Sequence, residues 1–592
     1  MTSITGFSLF KGLSSSQARR LLASQDKALA SFTGFERKTI PLGLTRLEVW
    51  GHKGMERRLH TLPDGSLLAL IGSPHGEVNL AEVQDSLMTE RFQLPWDGRV
   101  ILLRVSADGK RWTMWNDWLG SMPVFHAQIG NGRIASTLEP VVVASAGYTA
   151  DDFFLPGLVS LLINGHFISD WTLYKGMKVI PPDSRMEWDE KGFRAEKLWT
   201  VEPSQSRWEA GWDDLVDEMY ELSRQAIVQA LSSYPKWILP LSSGLDSRLI
   251  AAVAADVGAD VYTYAWGEPV TTDVIYSRQI ARTLGLPWKH IVLPKDFLLK
   301  YTPLWADLFG SSMHFHGMYQ MSFLDEIRNE PSAPVLSGFI GDVLTGDAVH
   351  EAVAFHSSGR RYQVESEWYC HWTADELRTH AKFPLVDALE ANADELKNQI
   401  DTFPGAFYQK LQFLELWNRQ RFFTKFQSTL SSYWRGVANP FMNRAYARFC
   451  LSLPRAALDH RRLIADVYRR YYGRLAVIPG TYHKEPFILT GRYLLSQRIA
   501  RRLPGFLRRR LFSGFADIPL RMDIHSIQAV GRQALWSLFE ARKQVEEWLD
   551  FEQVERDFQT VMTSNEDIRP LRRLQSVQTL AYRLLNEKGQ EQ

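Results

Sequence analysis

The residues best suited to chemistry lie in Leu239-Pro240-Leu241-Ser242-Ser243-Gly244-Leu245-Asp246-Ser247-Arg248, a small, hydroxyl-rich turn between an apolar stretch and an Ala-rich one. Backbone N–H groups at a strand end, together with the positive dipole end of a following helix, favour a guest bearing anionic oxygen. Ser242, Ser243 and Ser247 offer hydroxyl donors, and Gly244 permits close backbone approach or a positive φ. Asp246 repels a phosphate unless a divalent cation stands between them, so the turn points to magnesium pyrophosphate. The plainer alternative is an ordinary strand-to-helix turn with Ser or Asp as N-cap.

The elements that must hold such a turn alternate in type. A helix ending over Ala251 to Val257 is followed by a strand at Val261–Trp266, a helix from Asp273 to Leu284 stopped by Gly285, and a strand at His290–Leu293. Alternation of this kind predicts a doubly wound parallel sheet with its ligand crevice at the strand carboxyl ends. A further strand, Ala333–Leu336, runs into Ser337-Gly338-Phe339-Ile340-Gly341-Asp342, a second small-residue turn ending in an acid. Two such turns are suited to clamp one magnesium pyrophosphate between Asp246 and Asp342.

The segment Ser242-Ser243-Gly244-Leu245-Asp246-Ser247 is similar to the Ser-Gly-Gly-Leu-Asp-Ser loop of the asparagine synthetase family. Further echoes are Asp273-x-x-Tyr276, Leu284-Gly285, Ser337-Gly338-x-x-Gly341-Asp342 and Ile478-Pro479 with Lys484-Glu485, where the family places its catalytic lysine. In the first third, Asn116-Asp117-x-x-Gly120-x-x-Pro123-Val124-Phe125 resembles a hairpin of the family's N-terminal domain, joined by Ala135-Ser136, Thr172–Met177 and Pro181-Pro182. The resemblance spans roughly residues 1 to 490. It implies an α/β protein: a glutaminase-type αββα domain of the Ntn-hydrolase kind at 1–200, then an ATP-pyrophosphatase domain at 207–490. The implied reaction is adenylation of a carboxylate by ATP with magnesium pyrophosphate leaving, then attack of an amine or ammonia to give an amide and AMP. By carry-over, Ser242, Ser243, Gly244, Ser247, Ser337 and Gly338 hold the nucleotide phosphates and Asp246 and Asp342 hold Mg²⁺. Lys484 stabilises charge at phosphorus, and main chain near Thr263 and Ala265 meets adenine.

The departures narrow the expectation. Glutamine-hydrolysing members carry Cys directly after the initiator Met, whereas this sequence starts Met1-Thr2 and its cysteines are Cys370 and Cys450. The family's Asn-Gly-Glu turn survives only as His75-Gly76-Glu77, and its Arg before Asp117 is Asn116. A glutaminase fold without glutaminase activity is expected, with nitrogen arriving as ammonia or as a substrate amine. In the second turn, Phe339 and Ile340 replace the family's general-base glutamate, and Val343 replaces a second one. General-base help is worth about 10²- to 10⁴-fold, so another acceptor is needed; Asp347, His350, Glu351, His314 and His316 are the candidates.

Other chemistry-bearing residues carry open readings. His314-x-His316 reads as core histidines, pocket lining or a zinc pair, with no Cys or acid close in sequence to complete a site. Arg419 and Arg421 read as a solvated helix face or as forks for a substrate carboxylate or phosphate. Aromatic residues at helical spacing from Phe407 to Tyr433 read as core.

At 592 residues and 45% hydrophobic side chains the chain can bury more than one core, and a net charge of +1 gives no reason to expect nucleic acid. Two cysteines and no apolar run of about 18 residues suit a cytoplasmic protein. Strands such as Val100–Val105 and Trp112–Trp115 predict antiparallel sheets in the first 200 residues, 201–206 reads as a linker, and an amphipathic helix follows from Trp208 to Ala230. Residues 491–592 read as a helical basic extension in which Arg498, Arg501, Arg502, Arg508, Arg509 and Arg510 suggest peripheral membrane or partner docking through 498–510. Three functions compete: amidation of aspartate or another small or sugar acid, intramolecular amide closure of the lactam or lasso-peptide type, and a catalytically silent scaffold.

Overall fold

The computed structural model describes residues 3–588 except 85, 89–91, 270, 331–332, 348–370, 383–384, 481–484, 505–506, 508–521 and 565–566. The first 200 residues form a twelve-stranded sheet. One half contains β1 (Ile4–Lys11), β2 (Glu36–Leu42) and β3 (Thr45–Gly51) with β8 (Phe125–Ile129), β9 (Gly132–Ser136) and β10 (Met177–Val179). The other contains β4 (Leu59–Thr61), β5 (Leu67–Pro74), β6 (Gly98–Val105), β7 (Trp112–Asn116), β11 (Ser184–Asp189) and β12 (Gly192–Lys197). They meet at a parallel β1–β5 contact with the single partner pair Ile4 and Ile71.

Period-two alternation explains how the halves stack. Along β5, Leu67, Ala69 and Ile71 join an inner core with Phe7, Leu9 and Val49 of the other half. Leu68 and Leu70 point the opposite way, into a second cluster with Val100, Leu102 and Trp115. Helices α1 (Ser15–Leu29) and α2 (Glu139–Ala146) cover the outer face of the first half through Leu21, Leu29 and Val142. Short 3₁₀ turns and the chain carrying Leu80, Val83, Phe92 and Trp96 cover that of the second. α1 starts with a capping box: Ser14 N–H donates to Gln17 Oε1 at 2.8 Å and Gln17 N–H to Ser14 Oγ at 3.3 Å.

After α3 (Leu155–Asn164) and the connecting segment, α4 (Trp212–Leu231) leads into five parallel strands in the order β15-β14-β13-β16-β17. These are β13 (Lys236–Pro240), β14 (Asp260–Trp266), β15 (Trp288–Ile291), β16 (Val335–Leu336) and β17 (Val437–Ala438). Between them run α5 (Leu245–Asp256), α6 (Thr272–Leu284, capped by Thr271 and closed by Gly285 in the left-handed region), α7 (Phe297–Phe309), α8 (Tyr319–Glu326) and α9 (Gly341–Leu344). The expected α/β class with a parallel second sheet is therefore present. The β15 strand lies two residues earlier than the sequence suggests, with Val292 beyond it and exposed. Residues 522–588 share one apolar core with α7 and α8, where Ile524, Leu538 and Leu574 join Trp305 and Phe323.

Candidate active site

At the carboxyl end of β13 the chain turns through 241–243, and Gly244 caps α5 with φ −65° and ψ 168°, so it does not use the positive φ open to it. The turn is closed from within. Ser242 N–H donates to Ser247 Oγ at 3.2 Å, the two hydroxyls lie 3.0 Å apart, and Gly244 N–H donates to Ser242 Oγ at 3.1 Å. Asp273, in the first turn of α6, accepts from Ser243 N–H at 3.0 Å and from Ser243 Oγ at 2.6 Å. Buried Arg248 donates to Ser243 O at 2.7 Å and to the carbonyls of Leu475, Ile478 and Pro479 at 3.2, 2.9 and 2.8 Å. One guanidinium thus ties the turn to the chain that leads to Lys484, which itself lies outside the described residues.

The second turn leaves β16, which pairs in parallel with β13 through Val335 and Ile238. A Cβ on Gly338 would sit 3.1 Å from Asp246 Cβ, and one on Gly341 only 2.8 Å from Asp246 Cγ and Oδ1. These glycines are there for close approach: they let the second turn lie directly on Asp246, with Asp342 one residue on. Gly341→Ala is expected to cut catalysis by about 10²-fold through displacement of Asp246, measured as pyrophosphate exchange. Gly244→Ala, whose Cβ meets only Ser242 Oγ at 3.1 Å, should be much milder.

Sequence reasoning missed the group that joins the acids. Arg461 Nη2 donates to Asp246 Oδ1 at 2.6 Å and its Nε to Thr345 Oγ1 at 2.9 Å. Burial, reinforced by the Asp246 and Asp347 carboxylates, pushes the Asp342 carboxyl up to about 7. Burial raises Asp246 too, with Arg461 opposing. Burial pulls the Arg461 guanidinium down, but Asp246, Asp342 and Asp347 outweigh it and leave it above its ordinary value. Three carboxyl groups stand against one guanidinium, a surplus of acids that a divalent cation would offset. Among the described residues no three His, Cys, Asp or Glu converge to hold a metal unaided. Backbone strain gathers here as well: Ile340, His460 and Arg461 have φ of 63°, 49° and 55°, half of the six non-glycine positive-φ residues described.

A profile of the asparagine synthase family matches residues 218–579, more than half of the chain and well past residue 490. The chain belongs to the asparagine synthase family. Membership implies an ATP-dependent amide ligase. No curated protein matches the chain. Among solved structures it is similar to a glutamine phosphoribosylpyrophosphate amidotransferase from B. subtilis complexed with ADP and GMP: 9% identity over 48% of this chain and 81% of that one, TM-score 0.24. It is also similar to an allosteric regulatory enzyme of purine biosynthesis, with 10% identity over 56% of this chain and 89% of that one, TM-score 0.23. Scores that low leave the fold to rest on the sheet topology above.

The remaining asparagine synthase-like positions divide. Ser337 accepts from Phe339 N–H at 3.3 Å, and Phe339 itself is buried in the apolar cluster below the second turn. Thr263 gives both its N–H and its hydroxyl to Pro287 O, at 3.0 and 2.6 Å, and Ala265 is buried beside it in β14. Of the candidate bases, Asp347 stands next to the acid pair, its N–H donating to Asp342 O at 3.0 Å. His350 and Glu351 lie outside the described residues. His314 and His316 sit elsewhere, Nδ1 to Nδ1 3.3 Å apart, with His316 stacked on Phe423 at 3.7 Å and His314 against His371 at 4.7 Å. They are core histidines in the described structure.

Arg421 corrects both of its expected readings. It is fully buried and donates to the carbonyls of Gly120, Ser169 and Ile180, stapling the second half to the first. Arg419 pairs with buried Glu415 at 2.7 Å. In the twelve-stranded sheet region Asp117 accepts from the N–H groups of Val100, Leu119 and Ser121, and Asn116 bridges Pro181 O and Ser184 N–H. These hairpin residues hold backbone. His75 is buried, and burial brings its imidazole down to about 4. Cys450 is buried in the helix Arg444–Cys450, where burial pushes its thiol up to about 12. Thr2 and Cys370 lie outside the described residues.

Proposed function

We propose that the protein activates a carboxylic acid with ATP, releasing pyrophosphate, and passes the acyl group to ammonia or an amine with release of AMP. The observation that supports this reading is the close approach of the Gly338–Gly341 turn to Asp246, which brings the Asp342 carboxyl near that of Asp246. The substrate carboxylate oxygen bonds to the α-phosphorus as the bond to the leaving pyrophosphate breaks. The amine then bonds to the carbonyl carbon, and its C–O bond to AMP breaks. Ser242, Gly244 and Ser247 hold the pyrophosphate, and Lys484 offsets charge at phosphorus and at the tetrahedral carbon. Asp246 and Asp342 hold Mg²⁺, which when bound neutralises charge on the leaving group. Asp347, next to the acid pair, would take the proton that the amine loses.

Residues 1–200 contain no cysteine, so that domain offers no thiolate to hydrolyse glutamine. Nitrogen then arrives free or already on the substrate. The test is exchange of labelled pyrophosphate into ATP across a panel of amino acids, sugar acids and peptides, each with and without ammonium. One acid should support exchange, and Lys484→Ala should lower it by about 10²- to 10³-fold. If no acid supports exchange and no nucleotide is consumed, the ligase reading fails and the scaffold reading replaces it.

A further inference from the structure

The helix Gly491–Arg502 has an unusual solvent face. Ala500 is buried and Tyr493 half-buried on one side, while Leu494, Leu495 and Ile499 are 50%, 58% and 45% exposed on the other. At about 100° per residue, Arg498 and Arg502 fall between those same aliphatic residues, and Arg492 and Arg501 flank them. Apolar and cationic side chains thus share one surface. The lead-in adds exposed Ile488 and Leu489, and no acid occurs between Glu485 and Asp517.

A merely solvated helix interleaves both charge signs and does not present three large aliphatic groups to water. Nucleic acid offers phosphates to the arginines and leaves the aliphatic groups unmatched. A bilayer surface matches both: arginine stems lie along apolar side chains and extend their heads to the phosphate level, while Leu and Ile enter the acyl boundary. The absence of acid selects anionic lipid. The helix is tied to the enzyme body, because Ile488 N–H donates to Ala476 O at 3.0 Å and Arg469 Nε to Phe487 O at 3.1 Å. Among the described residues no helix is long and apolar enough to cross a membrane.

We propose that Ile488–Arg502 is a docking surface for an anionic phospholipid bilayer. The full chain should float with vesicles containing about one-third phosphatidylglycerol at physiological salt and stay behind with pure phosphatidylcholine. Arg498→Glu with Arg501→Glu and Arg502→Glu should weaken binding on the order of a hundredfold. Leu494→Ser with Leu495→Ser and Ile499→Ser should weaken it at least about tenfold with every charge retained. All six positions are exposed, so unchanged thermal unfolding and pyrophosphate exchange show that the variants fold. Failure to float with either vesicle overturns the proposal and points to an acidic protein partner. Binding that survives the Leu and Ile changes also overturns it, since charge alone would then explain adhesion.

Discussion

Asp342→Asn is expected to reduce acid-dependent pyrophosphate exchange by about 10²- to 10³-fold while raising the melting temperature at pH 7.5. The two effects have one cause. Asp342 is half-buried beside Asp246 and Asp347, and Arg461 opposes their mutual repulsion. A carboxyl whose folded value is near 7, against an ordinary 3.8, favours its neutral form in the fold. Its ionisation therefore costs stability progressively as pH rises from the unfolded value through 7. Asn keeps the shape and removes that cost, so unfolding followed by scanning fluorimetry should shift upward by roughly one to three degrees. On the proposed reading the same change removes a charge that would hold the cation, and exchange falls. Retained exchange would show that Asp342 is not a metal ligand; a lower melting temperature would show that the acid cluster is not strained.

Lowering the pH from 7 to 5 is expected to destabilise the protein through histidines that the fold keeps neutral. His166, His314, His316 and His371 form one buried group between α3, the chain before α8, the segment bearing Phe423 and the helix Arg569–Lys588. Burial brings His166 down to about 4 and His316 to about 3, and lowers His314 and His371 well below 6.5. A base depressed in the folded state binds protons better when unfolded. Stability is thus full above 6.5 and is lost as pH falls toward the folded values, by about 1.4 kcal/mol per pH unit for each imidazole. Four such groups give a drop of several kcal/mol at pH 5, or roughly 5–10 °C. Asp342 works in the opposite direction over the same range, so the decline should be steeper in Asp342→Asn. His316→Gln should flatten it. A melting temperature equal at pH 5 and 7 in the Asp342→Asn variant would mean that these imidazoles titrate freely.

What was legible in the sequence was local. The α6 helix stops at the expected Gly285 and starts one residue before the expected Asp273, and β14 lies where a run of β-formers says it should, because caps and period are set by neighbours within one turn or one strand. The two acidic turns were legible for the same reason: each is a short strand-end motif whose small residues and acid are contiguous. Arg461 was not, since it reaches Asp246 from 215 residues away, and nothing in Asp459-His460-Arg461-Arg462 says which guanidinium turns inward. Arg248 did carry a signal, the one basic residue of the Ala-rich α5, although its four carbonyl partners are known only from the fold.

The sequence by itself determined the family and the two small-residue turns with their acids, because those follow from residue types within a few positions of one another. Only the tertiary structure decided which groups face which. It laid Gly338 and Gly341 on Asp246, put Arg461 among three carboxylates, buried Arg421 as a staple, and left Leu494, Leu495 and Ile499 in water beside their arginines. Burial and long-range electrostatics depend on partners that chain folding brings together, and no local pattern encodes them.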